Sequence, residues 1–382
     1  MKVLHLTHTD ISSDSRILKE MQTIANASNQ YQVYGIGVSL DEGSANANDI
    51  DKLHIDSISL RTRRWRFLPK VLRHSSSLVE LTFKMVKRAV KVKPNVIHCN
   101  DTLVLPLGMI VKFFTGAKLI YDAHELESDK NGLTKTLGKM TLAVEKLLWR
   151  YVDALIVVSP SIDKWYQKNI GEKYSEVILN SPILEKGVSS FDKEYLRNKF
   201  SIPKESKIFI YIGILGRGRG IELISKVFKE HKLKSSLLFL GYGELSTELK
   251  KLSEEYENIY LHDAVSHDKV VSVAQSADVG LCLIENVSLS DYYCLPNKLF
   301  EYSFAEIPIL ASNFPDITEV IKKYNLGKST DLDEQSIYMA IKELEEREAL
   351  PIINSEELYE LSWGTQENKL VKLYDRVIKG ES

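Results

Sequence analysis

Apolar residues recur along this chain in short blocks that alternate with longer stretches of helical spacing. Lys2–Thr7 is an apolar run, and Ser15–Ala27 after it repeats apolar positions every three to four residues. The alternation continues. Strands are predicted at Gln32–Val38, Asn95–Cys99, Lys118–Tyr121 and Ala154–Ser159, and helices at Leu78–Val92, Leu103–Phe114 and Thr134–Tyr151. Apolar strands separated by amphipathic helices belong in a parallel sheet covered on both faces.

The pattern then starts again. Ser190–Phe200 reads as a helix, with Pro182 and Pro203 marking the connection around it. Strands follow at Lys207–Ile212, Ser236–Leu240, Ile259–Leu261, Val279–Leu283 and Ile307–Ala311, with a helix at Ile221–Glu230 after the first. The expected architecture is α/β, with two Rossmann-like doubly wound domains, 1–185 and 186–355. A last helix, Glu356–Ile378, lies in the segment 356–382 and is expected to cross back to the N-terminal domain. Open parallel sheets bind ligands outside the carboxyl ends of their strands, so the chemistry belongs in the loops after strands, facing a cleft.

Composition narrows the setting. With 382 residues, 44% hydrophobic and 27% charged, the chain has material for two cores. The net charge of −2 gives no global reason to expect a polyanionic partner. Cys99, Cys282 and Cys294 form no CxxC pair, which argues for a reducing compartment and against a disulfide framework or a structural zinc site. The N-terminus lacks the apolar core of a signal peptide, and no window approaches about 18 uninterrupted apolar residues. The expected location is cytoplasmic.

The most informative loop follows the strand Lys207–Ile212. It runs Gly213-Ile-Leu-Gly216-Arg217-Gly218-Arg219-Gly220 and opens a helix. Glycines let backbone approach a ligand at positive φ, a helix N-terminus attracts anions, and the two arginines present forked donors to phosphate oxygens. This is the composition of a diphosphate cradle. It departs from the GxGxxG spacing of dinucleotide folds, and no Gly-Lys-Ser/Thr of a Walker loop follows. A second segment, Tyr293-Cys-Leu-Pro296-Asn297-Lys298-Leu-Phe-Glu301, follows the strand Val279–Leu283. Pro296 suits the first turn of a helix, and Lys298 and Glu301 then share one face, where a carboxylate can bind a ribose diol and a lysine a phosphate.

Together with Gly241-Tyr-Gly243-Glu244, Pro308 and the final Ser362-Trp363 helix, these motifs resemble the GT-B glycosyltransferases, specifically glycosyltransferase family 4 (group 1), bacterial surface-polysaccharide type. The resemblance implies a GT-B fold and transfer of a sugar, with retention of configuration, from a nucleotide-diphosphate sugar to a glycan or lipid-linked acceptor. Arg219 matches the family's lysine and Glu301 its second glutamate. Ile214 stands where the family has arginine, with Arg217 as a substitute charge, and Tyr293 stands where it has its first glutamate. The implied donor set is Gly213, Gly216, Arg217, Gly218, Arg219, Gly243, Tyr293, Pro296, Asn297, Lys298 and Glu301. The donor is expected to be of UDP or GDP type, a co-substrate rather than a cofactor, and no bound metal is expected. Asp331-Leu-Asp333 mimics a metal-binding DxD but lies beyond the donor motifs. A nucleotide-sugar epimerase, or a non-catalytic partner subunit with a degenerate donor site, are the alternatives.

In the N-terminal half, Arg16 follows the first strand, His98 and Asp101 flank the end of the third, and His124 and Glu125 follow the fourth. Arg16, His98, Asp101, His124 and Glu125 are expected on the acceptor side, and His124, Arg219 and Glu301 in catalysis. One segment stands apart. Arg61, Arg63, Arg64, Arg66, Lys70 and Arg73 interleave with Trp65, Phe67 and Leu68, and lysines and arginines continue to residue 93 with Glu80 as the sole acid from 61. Such a segment suits an anionic membrane surface, hence peripheral attachment to the inner face of the membrane. No nucleic-acid recognition motif accompanies it.

Overall fold

A computed structural model describes residues 1–39, 47–50, 52–65, 67–183, 192–346 and 355–380. In chain order the first elements are β1 (Lys2–Leu6), α1 (Ser15–Ala27), β2 (Gln32–Val38), β3 (Ala47–Ile50), β4 (Leu53–Ile58), α2 (Lys70–Val92) and β5 (Val96–Asn100). Then come α3 (Leu105–Thr115), β6 (Lys118–Ala123), α4 (Lys135–Leu148), β7 (Ala154–Val157), α5 (Pro160–Asn169) and β8 (Ser175–Val177). The second series is α6 (Tyr195–Phe200), β9 (Ile208–Ile214), α7 (Ile221–Glu230), β10 (Ser236–Tyr242), α8 (Ser246–Glu255), β11 (Ile259–His262), α9 (Val270–Ala274) and β12 (Val279–Cys282). It ends with α10 (Leu289–Tyr292), α11 (Asn297–Phe304), β13 (Ile309–Ser312), α12 (Pro315–Lys323), β14 (Gly327–Thr330), α13 (Glu334–Glu346), α14 (Ser355–Leu358) and α15 (Trp363–Lys379).

The chain forms two compact units. The first is Met1–Ile178 together with the residues from Gln366 onward, and the second is Leu179–Thr365. The first unit carries a sheet of order β3-β4-β2-β1-β5-β6-β7-β8, parallel except for the β3–β4 pair. The second carries a fully parallel sheet of order β11-β10-β9-β12-β13-β14. Both are doubly wound, as the alternation of the sequence predicts. In each sheet the strand order reverses once, between β1 and β5 and between β9 and β12, and that reversal opens a crevice at the carboxyl ends. Strands at these switch points are buried on both faces, which is why they read as continuous apolar runs.

Several elements differ from expectation for identifiable reasons. β8 and β14 are short edge strands of sequence Ser-Glu-Val and Gly-Lys-Ser-Thr, with no apolar run to betray them. Helix α2 starts at Lys70 rather than Leu78, because its first eleven residues bury nothing and leave no core stripe in the sequence. The helix expected at Ser190–Phe200 spans Tyr195–Phe200, and position 190 lies outside the described residues. The helix expected at Glu356–Ile378 is broken. A 3-10 turn at Tyr359–Leu361 and an extended Ser362 separate α14 from α15, and the Ser362 hydroxyl donates to the Tyr359 carbonyl at 2.7 Å.

Candidate functional site

In the second unit, the glycine loop leaves β9 and enters α7 with Gly220 as the helix N-cap. Gly213, Gly218 and Gly220 hold φ of 130°, 77° and 70°, a region costly to any residue with a Cβ. At Gly220 a Cβ would also fall 2.6 Å from the Leu283 carbonyl oxygen at the end of β12, so the loop is pressed against the neighbouring strand end. Two of its amides are already engaged. Arg217 N–H donates to Glu244 Oε1 at 3.0 Å, and Gly220 N–H donates to Glu285 Oε1 at 3.2 Å. The helix N-terminus is therefore less open than the sequence suggests. Glu244 and Glu285 sit where an arriving anion would compete for the same donors. Arg217 is exposed and Arg219 half-buried. Ile214 is exposed.

Helix α11 lies beside this loop. Pro296 is its N-cap rather than its first helical residue, Asn297 is exposed, and Lys298 and Glu301 are both buried. The Lys298 side chain, 8% exposed, ends 3.6 Å above the centre of the Tyr211 ring, and its Nζ has no hydrogen-bond partner among the described residues. A Cβ on Gly213 would stand 3.9 Å from that nitrogen, which puts the ammonium under the start of the glycine loop. Burying a cation without hydrogen bonds is costly, so this geometry is poised for an anion. Glu301 Oε1 is 3.8 Å from Nδ1 of the exposed His267. Burial pushes the Cys282 thiol up to about 12, and the smaller opposing pull of Lys298 and Arg219 locates both cations near the end of β12.

Helix α11 is fixed by its next residue. The Tyr302 hydroxyl accepts from Ile212 N–H at 2.9 Å and lies 3.1 Å and 3.3 Å from the Ile210 and Leu281 carbonyls, in the middle of the sheet. Tyr293 is half-buried at the C-terminus of α10 and packs on Tyr292. Gly243 needs correction. Its Cβ would lie 2.3 Å from the Leu215 carbonyl oxygen, so it lets the loops after β9 and β10 touch, which is a packing role. Gly216 has no positive φ, and its Cβ would meet nothing closer than 3.7 Å. Asp331 accepts from Asn313 and Asp333 caps α13, so the DxD look-alike is consumed in a turn.

In the first unit, the candidates from sequence converge on a residue that the sequence did not flag. Asp122, fully buried on β6, accepts from Arg16 Nη2 at 3.2 and 3.3 Å, lies 3.3 Å from His98 Nε2, and faces His124 Nε2 at 3.3 Å. Arg16 also donates to the Ile178 carbonyl at 3.1 Å and places Nε 3.1 Å from Glu20 Oε1. Asp14, whose side chain accepts from Arg16 N–H and Ile17 N–H, starts α1 and aims Arg16 inward. Arg16 is thus a buried counter-ion, not an exposed anion contact. His98 is likewise corrected. It is fully buried, with Nδ1 2.7 Å from the Tyr374 hydroxyl on α15, and its ring stacks on His5 at 4.3 Å. Neither residue has surface to offer an acceptor.

His124 is the member of this cluster that reaches outward, with 18% of its side chain exposed. Its Nδ1 stands 3.8 Å from Asp101 Oδ1, and His8 Nδ1 stands 3.6 Å from Asp101 Oδ2. Asp101 follows β5 at φ 72°, a left-handed conformation held by its N–H bond to the Asp122 carbonyl at 3.0 Å. Backbone strain of this sort concentrates at working sites. Glu125 lies 3.9 Å from Lys130 in the same loop. Burial opposes the Asp122 charge, yet the Arg16 guanidinium and then His124 hold its carboxyl well below the usual range. Burial also opposes a charged His124, but Asp122 overrides it and raises the imidazole to about 9. Burial followed by the Asp122 charge raises Glu20 to about 8.

Glu20, Asp122 and His124, and likewise His5, Glu20 and His98, bring atoms of metal-ligand type within 4.8 Å of one another. The Arg16 guanidinium, 3.1–3.3 Å from both carboxylates, already supplies the positive charge there. Glu20, Asp122, His8, His267 and Glu285 do not stand out in the sequence. The pair Asp122-Ala-His124 at a strand end was the one available signal among them.

The basic segment lies in the first unit, where Arg61–Arg64 form a 3-10 turn ahead of α2. Arg66 lies outside the described residues. No described helix is long and apolar enough to cross a membrane.

Residues 192–357 match the family model described as Glycosyl transferases group 1. The uncharacterized glycosyltransferase MJ1069 of Methanocaldococcus jannaschii is 28% identical over 179 residues, which are 44% of this chain and 44% of that protein. The chain thus matches less than half the length of that relative. Among solved structures, sucrose-phosphate synthase of Thermosynechococcus elongatus superposes with a TM-score of 0.75 at 14% identity over 99% of each chain. HepE of Anabaena in complex with UDP gives 0.72 at 14% identity, covering 98% of this chain and 100% of that one. The lipopolysaccharide outer core galactosyltransferase WaaB gives 0.68 at 14% identity over 100% of both. Identities this low speak for the fold alone, and the fold is GT-B.

Proposed function

We propose that this chain, whose residues 192–357 match the model of the group 1 glycosyl transferases, is a glycosyltransferase using a nucleotide-diphosphate sugar. The observation that carries this reading is the buried, hydrogen-bond-free Lys298 ammonium beneath a loop of three positive-φ glycines. A diphosphate is the ligand that satisfies such a cation. Glu301 on the same helix face suits the ribose or sugar hydroxyls, and Arg217 and Arg219 suit the outer phosphate oxygens. The HepE structures hold UDP and UDP-glucose, and a UDP or GDP sugar is the donor class we favour here.

The chemistry follows from these groups. The bond between the anomeric carbon and the β-phosphate oxygen breaks, and an acceptor hydroxyl bonds to that carbon on the same face. Its proton passes to the departing diphosphate, and attack on the face that the diphosphate leaves retains configuration. Arg219 and Lys298 stabilise the charge that develops on the leaving group, which is the differential stabilisation catalysis needs. In the first unit His124 hydrogen-bonds a sugar or acceptor hydroxyl, with Asp101 beside it. No metal is assigned a step. The acceptor class is a glycan or lipid-linked sugar, as in surface-polysaccharide synthesis, and the basic segment 61–93 supports a site on the inner face of the membrane.

Calorimetric titration with UDP, GDP, ADP and CDP tests the donor site. One nucleotide should bind, and Arg219→Ala and Glu301→Ala should each weaken it at least about tenfold, or 1.4 kcal/mol. Binding of none of the four would favour a non-catalytic partner subunit, the reading that Ile214 and Tyr293 keep open.

A further inference from the structure

The membrane reading rests so far on charge, and the structure adds a second component. Helix α2 has 23 residues, of which Leu81, Met85 and Ala89 are the buried ones. Its first eleven residues, Lys70 to Glu80, include none that is buried. Three turns of helix therefore stand off the core of the first unit, and four of their eleven residues are apolar. Val71, Leu72, Leu78 and Val79 are exposed there, and Phe83 one turn on is 69% exposed. At 100° per residue these five fall within about 140° of the helix circumference, one continuous stripe. Phe67, 79% exposed, precedes the helix, and Trp65 is also exposed. An apolar stripe of this kind would ordinarily be covered.

Charge identifies what covers it. Helix α2 packs against α3, and α3 against α4. The three helices carry ten lysines and arginines against two glutamates, Glu80 and Glu145. Both glutamates are spent. Glu145 is buried and accepts from the Tyr121 and Tyr166 hydroxyls at 2.7 and 2.6 Å. Glu80 accepts from the Arg61 and Thr62 amides and from Lys84 Nζ at 3.1, 2.8 and 2.5 Å. Arg88 and Lys112 pair with Asp56 and Asp153 at the edge of the layer, and the remaining cations surround its apolar residues, which also include Phe113 and Phe114 at the end of α3 and Met140 and Leu147 on α4. A second copy of this face would set the remaining cations against like charge, and an apolar protein partner would have to bury them. An anionic lipid surface offers both the counter-charge and the apolar medium.

We propose that the N-terminal half of α2, with Phe67 ahead of it, is an interfacial helix that inserts its apolar stripe into an anionic lipid monolayer. This rests on the membrane reading above but not on the donor site. Electrostatic attraction delivers the protein, and insertion holds it. The two differ in salt dependence, because screening removes the first and spares the second.

Flotation with vesicles of phosphatidylcholine and phosphatidylglycerol tests this, in low salt and in 0.5 M NaCl. The probes are the wild-type chain, the triple variant Phe67→Ser/Val79→Ser/Phe83→Ser, and the charge variant Arg61→Gln/Arg63→Gln/Arg64→Gln/Arg66→Gln. Wild type should bind anionic vesicles and keep most of that binding in high salt. The apolar triple variant should bind at low salt and lose at least tenfold in high salt, while the charge variant should lose binding throughout. Arg61, Arg63, Arg64, Phe67, Val79 and Phe83 are exposed, and unchanged thermal melting of both variants checks the fold. Equal high-salt retention by wild type and triple variant would overturn insertion. So would concentration-dependent dimerisation without vesicles that the triple variant abolishes, since the stripe would then be a protein interface. Nucleotide calorimetry on the same samples reports the donor site independently.

Discussion

Replacing Asp122 with asparagine keeps the side chain's shape and removes the one carboxylate that faces Arg16, His98 and His124 together. The size of the effect follows from His124. Burial alone would lower its imidazole, yet Asp122 raises it from 6.5 to about 9. At roughly 1.4 kcal/mol per pH unit, that rise is worth about 3 kcal/mol. Because the folded value is the higher one, this stabilisation is complete below pH 6.5 and is lost as pH rises through 9. Glu20 acts in the same sense. Burial and then Asp122 raise it from 4.5 to about 8, so the wild-type fold loses stability as pH climbs across that interval. Burial, the larger of the two causes, is the same in the variant, so most of this loss is common to both proteins and cancels in their difference. The difference in unfolding free energy between wild type and Asp122→Asn should therefore be largest near pH 6 and shrink by about 3 kcal/mol by about pH 10. Urea unfolding at both pH values measures it, and NMR titration of labelled histidine reads His124 directly. A variant His124 that still titrates near 9, or a difference that ignores pH, would refute the claim that the Asp122 charge holds the imidazolium.

Three further substitutions probe the second unit. Lys298→Met should leave thermal stability unchanged or raised, since Nζ makes no hydrogen bond, while weakening nucleotide binding by at least about 1.5 kcal/mol in calorimetry. Gly220→Ala meets both a φ of 70° and the Leu283 carbonyl. It should cost about 2 kcal/mol in denaturant unfolding and weaken nucleotide binding with it. Tyr302→Phe removes the hydroxyl that Ile212 N–H donates to, and should lower unfolding free energy by about 1–3 kcal/mol, read by chemical denaturation.

The fold was legible where burial writes a period into the sequence. Strands β1, β2, β5, β9 and β10 are apolar because both faces are covered, and α1 and α7 have the bounds their stripes predict. Elements that bury little, such as β8, β14 and the start of α2, left no such mark. The candidate site was legible by residue type but not by exposure. Arg16 and His98 carry the right chemistry, yet Asp122 and Tyr374, distant from each in sequence, draw them into the interior. Spacing along one element cannot report such a partner. Similarly, nothing around Gly220 announces that Glu285, after β12, caps its amide.

Tyr302 has a consequence for anyone recombining chains of this fold. Its ring lies where a Gly280 side chain would be, 2.3 Å from ring atom to Cβ, and its hydroxyl ties into the backbone of β9 and β12. The helix presenting Lys298 and Glu301 is thereby keyed to the strand that launches the glycine loop. A chimera that imports α11 alone, to borrow another sugar preference, would bring a key without its lock. Crossover points outside residues 208–304 keep strand, loop and helix together as one transplantable cassette, and crossovers within it should yield folded but misaligned donor sites.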